Sequence, residues 1–187
     1  ALVTGSGGGI GRAIADKLIA EGAVVAFSDI SDDFLAEATA TYSTDKAIAI
    51  NCNVTSAEEV EDAFQQTALA FGGVDIIVHS AGLAISKSID DTTQKDWELL
   101  QGVLVKGQFL LAQSASKIFK KQGLGGNIVN IASKNGLVSG PNNVGYGTAK
   151  AAQLHMSRLL AAELAAEGVR VNTVNPDGVI VGSKIWE

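Results

Sequence analysis

The chain has 187 residues, of which 47% are hydrophobic and 18% charged, and its formal net charge is −6. This length and composition fit one globular domain with its own core and exclude a disordered chain. The negative charge repels phosphate backbones, so we expect no nucleic-acid partner. A single cysteine, Cys52, excludes an internal disulfide and indicates the reducing cytoplasm. No apolar run approaches the roughly 18 residues that cross a bilayer, so we expect no membrane segment.

Apolar runs alternate with helical patterns along the chain. In order, the patterns predict strand 1–4, helix 9–21, strand 23–28, helix 32–42, strand 47–51, helix 56–71, strand 74–79, helix 93–122, strand 127–132, helix 146–168 and strand 169–175. Strands this rich in Val and Ile are buried on both faces, as in a parallel sheet. We therefore predict one α/β domain over 1–187, a doubly wound parallel sheet of the Rossmann type with strand order 3-2-1-4-5-6. We expect this domain to be truncated after strand six and to be part of a longer chain.

A glycine-rich loop, Thr-Gly-Ser-Gly-Gly-Gly-Ile-Gly, occupies residues 4–11 between the first strand and the first helix. Glycines allow the backbone to approach a pyrophosphate, and the helix N-terminus attracts its charge. The spacing is Gly-x3-Gly-x-Gly rather than G-x-G-x-x-G, and such a loop alone can be a simple turn. Its strand–loop–helix context favours a dinucleotide site, with five predicted contacts: Gly5, Ser6, Gly9, Ile10 and Gly11.

Asp29 ends the second predicted strand. An acidic residue there binds the adenosine ribose hydroxyls of NAD and repels the 2′-phosphate of NADP, although it can also cap the next helix. Arg12 is the nearest cation that could accept a 2′-phosphate, and we predict NAD as the cofactor. Since ligands bind at the carboxyl ends of the strands, five further residues are predicted cofactor contacts: Asn53, Val54, Ser80, Ala81 and Gly82.

Tyr146 and Lys150 lie one turn apart on one helix face, and Ser133 follows the fifth strand. A phenol has a pKa near 10, which a nearby ammonium lowers, and a serine hydroxyl can orient a substrate oxygen. Together the three residues form an acid–base device beside a hydride-carrying cofactor. Each taken alone has an ordinary explanation, since Tyr-x-x-x-Lys is frequent by chance and a loop serine often serves a turn.

These features together resemble the short-chain dehydrogenase/reductase family over the whole chain. In this resemblance, residues 4–11 are the cofactor loop, and Ser133, Tyr146 and Lys150 are the catalytic set. The pair Asn175-Pro176 is similar to the start of the segment that holds the nicotinamide, which adds Pro176, Gly178 and Val179 to the predicted cofactor contacts. The family implies that Lys150 also binds the nicotinamide ribose and that Tyr146 exchanges the substrate proton. It further implies a homodimer or homotetramer built from the helices at 93–122 and 146–168.

Five positions depart from the family pattern. His79 and Ser80 replace a usual Asn-Asn pair, and Asn53 replaces a usual aspartate. Asp177 interrupts Pro-Gly, and Leu104 replaces the helix asparagine that fixes a proton-relay water. His79 could contact nicotinamide or substrate, or serve only the structure. Segments 132–135, 140–142, 174–179 and 182–186 resemble the dehydrogenase half of bifunctional rhamnulose-1-phosphate aldolase/alcohol dehydrogenases. That branch implies a preceding aldolase domain and lactaldehyde as a substrate.

The resulting prediction is a cytoplasmic NAD-dependent oxidoreductase that acts on a small hydroxylated substrate such as lactaldehyde or a sugar. A 3-oxoacyl carrier-protein reductase is a second possibility, against which Asp29 and Leu104 both count. A protein that binds NAD without catalysis is a third, which Leu104 favours and the Ser/Tyr/Lys set opposes. The Asp, Glu and His residues show no metal-ligand grouping, so no metal is expected.

Overall fold

Six strands and six α-helices make up the fold in a computed structural model that describes residues 1–178. The strands are β1 (Leu2–Thr4), β2 (Val25–Asp29), β3 (Ala47–Asn51), β4 (Ile76–His79), β5 (Gly126–Ile131) and β6 (Val169–Val174). The helices are α1 (Gly9–Ala20), α2 (Asp32–Thr39), α3 (Ala57–Phe71), α4 (Gln94–Leu100), α5 (Gly107–Gln122) and α6 (Val144–Glu163). Short 3₁₀ turns follow β5 and α6, at Lys134–Gly136 and Ala165–Glu167.

The six strands form one sheet in the order β3-β2-β1-β4-β5-β6, and every pair is parallel. This order confirms the predicted 3-2-1-4-5-6 sheet. The direction of winding reverses between β1 and β4, where the register pairs Thr4 with His79. In a doubly wound sheet, this switch point opens a crevice at the carboxyl ends of the strands.

The predicted helix at 93–122 is one continuous helical stretch with a π-helical segment at its centre. Thr93 caps α4 through a capping box with Asp96, and Gln101–Lys106 then forms the π segment before α5. The wider turn gives the segment its own hydrogen-bond pattern, in which the Gly107 N–H donates to the Gly102 carbonyl five residues back. Leu104, fully buried, lies in the middle of this segment.

Two apolar layers cover the two faces of the sheet, because successive strand residues point to opposite sides. Leu2 packs with Ile77 and Ile128 against α3 and α5, whereas Val3 packs with Phe27 against α1 and α2. Each such side chain contributes about 1.5–3 kcal/mol by leaving water. Helices therefore cover both faces and leave the carboxyl edge for a site. Within residues 1–178, no helix combines the length and apolarity needed to cross a membrane.

Candidate active site

A cleft of about 440 Å³ opens at the carboxyl ends of the strands. Twelve of the predicted site residues line it, and they come from both halves of the sheet. They are Gly5, Gly9, Ile10, Gly11, Asp29, Ser80, Gly82, Ser133, Tyr146, Lys150, Pro176 and Gly178. The fold thus brings the glycine loop, the acidic end of β2 and the Ser/Tyr/Lys set into one cavity.

Close backbone packing explains the glycines of the loop. A Cβ on Gly5, whose φ is 65°, would lie 2.6 Å from the Ala81 Cα, and a Cβ on Gly11 would lie 2.1 Å from the Gly5 carbonyl oxygen. A Cβ on Gly8 would meet no atom of the described chain within 4 Å. Helix α1 starts next to Gly8 without a side-chain cap from any described residue. The first N–H groups of α1 are therefore available to a phosphate, and this loop fits the pyrophosphate of a dinucleotide.

Asp29 is fixed against the glycine loop at the end of β2. Its Oδ2 accepts the Gly7 N–H at 3.0 Å, and its Oδ1 accepts the Ser31 N–H at 3.2 Å. The cap of α2 is Ser31, whose hydroxyl accepts the Phe34 N–H, so Asp29 does not cap this helix directly. Its carboxylate lines the cleft, where further lone pairs can accept ribose hydroxyls.

Arg12, the predicted alternative partner for a 2′-phosphate, is engaged elsewhere. Its Nε donates to both carboxylate oxygens of Asp16 at 2.9 Å, and the Tyr42 hydroxyl donates to the same carboxylate at 2.8 Å. The Arg12 guanidinium is thus partly neutralised by the carboxylate of Asp16, which lies one helical turn further along α1.

Ser133, Tyr146 and Lys150 meet at the other end of the cleft and are all buried. Burial raises the pKa of Tyr146, while a hydrogen bond with Ser133 lowers it. Burial lowers the pKa of Lys150 to about 8, and its ammonium donates to the Ile131 carbonyl at 2.8 Å. The Lys150 Nζ lies 5.6 Å from the centre of the Tyr146 ring. The Lys150 charge is not among the causes of this shift, and the lowering of the Tyr146 pKa by Lys150 stays a prediction.

Four predicted contacts do not line the cleft, and each makes other contacts within the protein. Ser6 is fully buried and bonds the Ser28 backbone. Asn53 accepts the N–H and hydroxyl of Thr55 in its own turn. Val54 is buried against Gly107, and the Ala81 N–H donates to Thr4. Val179, together with the predicted packing of Trp186, lies outside the described residues.

Nine lining residues were not among the individually predicted site residues. They are Gly8, Phe34, Leu83, Ala84, Ile131, Ala132, Lys134, Asn135 and Asp177. For Lys134, the position directly after Ser133 in the sequence could have indicated that it lies at the cleft. The Lys134 ammonium forms an ion pair with Asp177, and the Lys134 backbone N–H donates to the Pro176 carbonyl at 3.0 Å. The two segments that follow β5 and β6 are thereby joined at the cleft. Residues 1–178 hold no cluster of potential metal ligands.

Comparison with known proteins agrees with this geometry. The family model described as short chain dehydrogenase matches residues 1–184. Over its full length the chain is 42% identical to the uncharacterized oxidoreductase YuxG of Bacillus subtilis, 35% to D-threitol dehydrogenase of Mycolicibacterium smegmatis and 31% to NAD-dependent glycerol dehydrogenase of Listeria innocua. The chain spans 28% of the length of YuxG and 73% of the length of each of the other two.

Two solved structures share this fold closely. A short chain dehydrogenase from Mycobacterium smegmatis superposes with a TM-score of 0.90 at 32% identity, covering 94% of this chain and 75% of that one. Sorbitol-6-phosphate 2-dehydrogenase SrlD from Erwinia amylovora superposes with a TM-score of 0.92 at 26% identity, covering 98% and 73%.

Proposed function

Because this chain belongs to the short-chain dehydrogenase family, we propose that it is an NAD-dependent oxidoreductase acting on a small hydroxylated substrate. The observation that carries the proposal is that Asp29 and the Ser133/Tyr146/Lys150 set line the same cleft. The cleft thus offers an acidic site for the adenosine ribose and a proton-handling site for the substrate.

The residues of the cleft fit a nicotinamide dinucleotide. The N-terminus of α1 would hold the pyrophosphate, Asp29 the adenosine ribose, and Lys150 the nicotinamide ribose. Pro176 and Gly178 line the same end of the cleft as Tyr146, where the nicotinamide would lie. When bound, the cofactor supplies the acceptor or donor of the hydride.

The remaining chemistry belongs to the side chains of the protein. The Tyr146 phenol exchanges a proton with the substrate oxygen, and the hydroxyl of Ser133 orients that oxygen by a hydrogen bond. The Lys150 ammonium, held by the Ile131 carbonyl, provides a fixed positive charge behind the phenol. These roles support a hydride transfer between an alcohol carbon and NAD in either direction.

We propose a polyol or a small hydroxyaldehyde as the substrate. Relatives named for threitol and glycerol, and a fold neighbour named for sorbitol 6-phosphate, support a polyol. The resemblance of residues 174–179 and 182–186 to the rhamnulose-1-phosphate aldolase/alcohol dehydrogenase branch supports lactaldehyde. A preceding aldolase domain, assembly into a homodimer or homotetramer and a cytoplasmic location stay predictions of the sequence.

An assay of NAD or NADP reduction by absorbance, performed on the natural full-length protein, tests this function. NAD and NADP are supplied separately with D-threitol, glycerol, sorbitol 6-phosphate and lactaldehyde, and reduction of a 3-oxoacyl thioester is followed with the reduced cofactors. We expect NAD-linked turnover of at least one polyol or of lactaldehyde. A preference for NADPH and the thioester would favour the acyl reductase instead. Tight NAD binding without any turnover would favour a non-catalytic protein.

A further inference from the structure

A buried glutamine on α6 reaches the π-helical segment. Gln153 lies three residues after Lys150, on the same buried face of α6 as Tyr146 and Lys150, and is fully buried. It does not line the cleft, and the proposed chemistry gives it no task. Glutamine side chains are mostly exposed in folded proteins, so a fully buried one needs hydrogen-bond partners and a reason for its position.

The side-chain amide of Gln153 is bonded to the backbone of the π-helical segment. Its Nε2–H donates to the Leu104 carbonyl at 2.8 Å, across 49 residues of sequence. Because the acceptor is a carbonyl oxygen, the amide nitrogen must face it, and this fixes the orientation of the amide. A side chain that enters the hydrogen-bond ladder of a helix is one of the causes of local helix distortion. The contact therefore ties the position of the π-helical segment to α6.

Gln153 itself is held in place by two neighbours. Its backbone carbonyl accepts the Ser157 hydroxyl at 2.8 Å and the Gln108 Nε2–H at 3.2 Å. The Ser157 hydroxyl in turn accepts the Gln108 Nε2–H at 3.0 Å and the Nδ2–H of Asn130, on β5, at 2.9 Å. All these side chains are at most 4% exposed, and hydrogen bonds are stronger in the low dielectric of the interior. Gln153 is thus anchored both to α5 and to the sheet.

Leu104 joins this network to the proposed catalytic residues by packing. Its side chain lies in one buried cluster with Leu100, Tyr146 and Ala149. Its Cδ2 also lies close to Gly82, where an added Cβ would come within 3.2 Å, and Gly82 lines the cleft. Since protein interiors are close-packed, a shift of Leu104 is transmitted to Tyr146.

The Leu104 backbone also interacts with His79, which ends β4. The imidazole is 1% exposed and does not line the cleft. Burial and the Lys150 charge lower the pKa of His79 to about 3, and the Leu104 backbone opposes this shift. The neutral imidazole is therefore a second neighbour of the backbone that Gln153 bonds, and it lies outside the cleft.

We propose that Gln153 is a positioning residue for Tyr146. Its hydrogen bond holds the Leu104 backbone, and the Leu104 side chain supports the Tyr146 ring, whose phenol oxygen must stand where the substrate oxygen arrives. The inference rests on the proposed function, since Tyr146 has a working orientation only if the chain catalyses. It gives the buried glutamine and the π-helical segment one common task, which is to fix the acid–base group without touching the substrate.

Gln153→Met in the full-length protein removes the donor and keeps most of the volume, because methionine is an unbranched side chain that fills irregular space. We expect kcat to fall about 10- to 100-fold, the range that small misplacements of a catalytic group produce, with the Kd for NAD within about threefold of the wild type. Steady-state kinetics and calorimetry measure the two quantities. A kcat within about twofold of the wild type would overturn the proposal.

Gln108→Met is the matched control. It also deletes a buried amide, but it leaves the Gln153 Nε2–H on the Leu104 carbonyl, and the Gln153 carbonyl keeps the Ser157 hydroxyl. We expect this variant to lose at least as much stability as Gln153→Met, because its amide donates two hydrogen bonds, yet to keep kcat within about threefold of the wild type. An equal loss of kcat in both variants would assign the effect to the deletion of any buried amide, and would contradict a specific role of Gln153.

A spectroscopic measurement reads the coupling without turnover. In protein that carries ¹³C at the Cζ of tyrosine, the Tyr146 resonance is the one lost in Tyr146→Phe. Tyr42, which packs in the layer of α1 and α2, is assigned in the same way with Tyr42→Phe and serves as the internal reference. We expect Gln153→Met to move the Tyr146 resonance and to leave that of Tyr42 in place. An unmoved Tyr146 resonance would overturn the proposal.

Leu104→Val tests the same path if Gln153→Met does not fold. It keeps the backbone carbonyl for Gln153 and removes one methylene from the side chain that packs on Tyr146. We expect a lowered kcat and a moved Tyr146 resonance, and unchanged values of both would overturn the proposal. Wild-type protein that bound NAD but oxidised no alcohol would instead refute the proposed function, and the resonance would still show whether Gln153 controls the Tyr146 ring.

Discussion

The Gly7 N–H donates to Asp29 Oδ2 at 3.0 Å, so the acidic end of β2 and the phosphate-binding loop form one unit. A Cβ on Gly7 would lie 3.0 Å from the same oxygen and 2.6 Å from the Phe34 Cβ. Glycine at this position therefore lets the carboxylate approach the loop. The position of the Asp29 carboxylate, which would select the cofactor, therefore depends on the backbone packing of the loop as well as on the side chain itself.

Asp29→Asn tests the role of this charge in cofactor selection. The amide keeps the shape and an acceptor for Gly7, but it removes the repulsion of a 2′-phosphate, which for close like charges amounts to several kcal/mol. We expect the ratio of kcat/KM for NADP to that for NAD to rise by about tenfold or more. Steady-state kinetics with both cofactors measure this ratio.

Asp32→Asn is the control for Asp29→Asn. Asp32 lies in the first turn of α2, where its Oδ1 accepts the Asn51 Nδ2–H at 2.7 Å, and it is not part of the cleft. The Asp32→Asn substitution removes one negative charge near the same strand end. We expect its ratio of kcat/KM for NADP to that for NAD to stay at the wild-type value. An equal rise in both variants would assign the preference to overall charge rather than to Asp29.

Gly11→Ala and Gly8→Ala test the packing of the glycine loop as a matched pair. The new Cβ at position 11 would lie 2.1 Å from the Gly5 carbonyl oxygen, whereas at position 8 the described chain offers no atom within 4 Å and φ is −162°. We expect Gly11→Ala to lower the free energy of unfolding by about 2 kcal/mol or more and Gly8→Ala to change it by about 0.5 kcal/mol or less. Urea unfolding measures both, and equal stabilities would refute the described packing.

Lys150 gives stability a predictable pH dependence. Its pKa falls from 10.5 in the unfolded chain to about 8 in the fold, so below pH 8 both states are protonated and the full cost of burying the charge is present. Between pH 8 and 10.5 the unfolded chain binds more protons, and stability therefore rises with pH. The free energy of unfolding of the wild type relative to Lys150→Met should rise by roughly 3 kcal/mol across this window.

The difference between the two proteins removes the contribution of titrating groups that are remote from Lys150. Burial also raises the pKa of Cys52, to about 11, which lowers stability as pH rises from 9. This residue belongs to the core layer of α3 and α5, so its effect is the same in both proteins and cancels. A difference that stayed constant from pH 8 to 10.5 would show that Lys150 titrates normally in the fold.

Local patterns were sufficient for the strand order and for twelve of the residues that meet in the cleft. Apolar runs and turn residues define the strands, and the right-handed crossover rule then orders them. The π-helical segment was not predictable in this way. It depends on contacts between distant parts of the chain, such as the Gln153 side chain on the Leu104 carbonyl and Gly107 against Val54, where a Cβ would lie 3.0 Å from Val54 Cγ2.

The directions of individual side chains near the site were not predictable, for a similar reason. Sheet geometry places Ser6 and Asn53 correctly at strand ends, but it does not give the direction of their side chains. Ser6 turns into the sheet to bond Ser28, and Asn53 closes its own turn with Thr55. The orientation of Lys150 towards the Ile131 carbonyl likewise depends on how α6 packs on β5.

We propose that Tyr146 exchanges the proton of an NAD-linked alcohol oxidation. The most direct measurement compares wild-type protein with Tyr146→Phe, recording NAD reduction with the best substrate and NAD affinity by calorimetry. Removing the phenol oxygen deletes the acid–base step, so kcat should fall by about 10²–10⁴-fold while the Kd for NAD stays within a few-fold. Near-normal turnover by Tyr146→Phe would contradict the account.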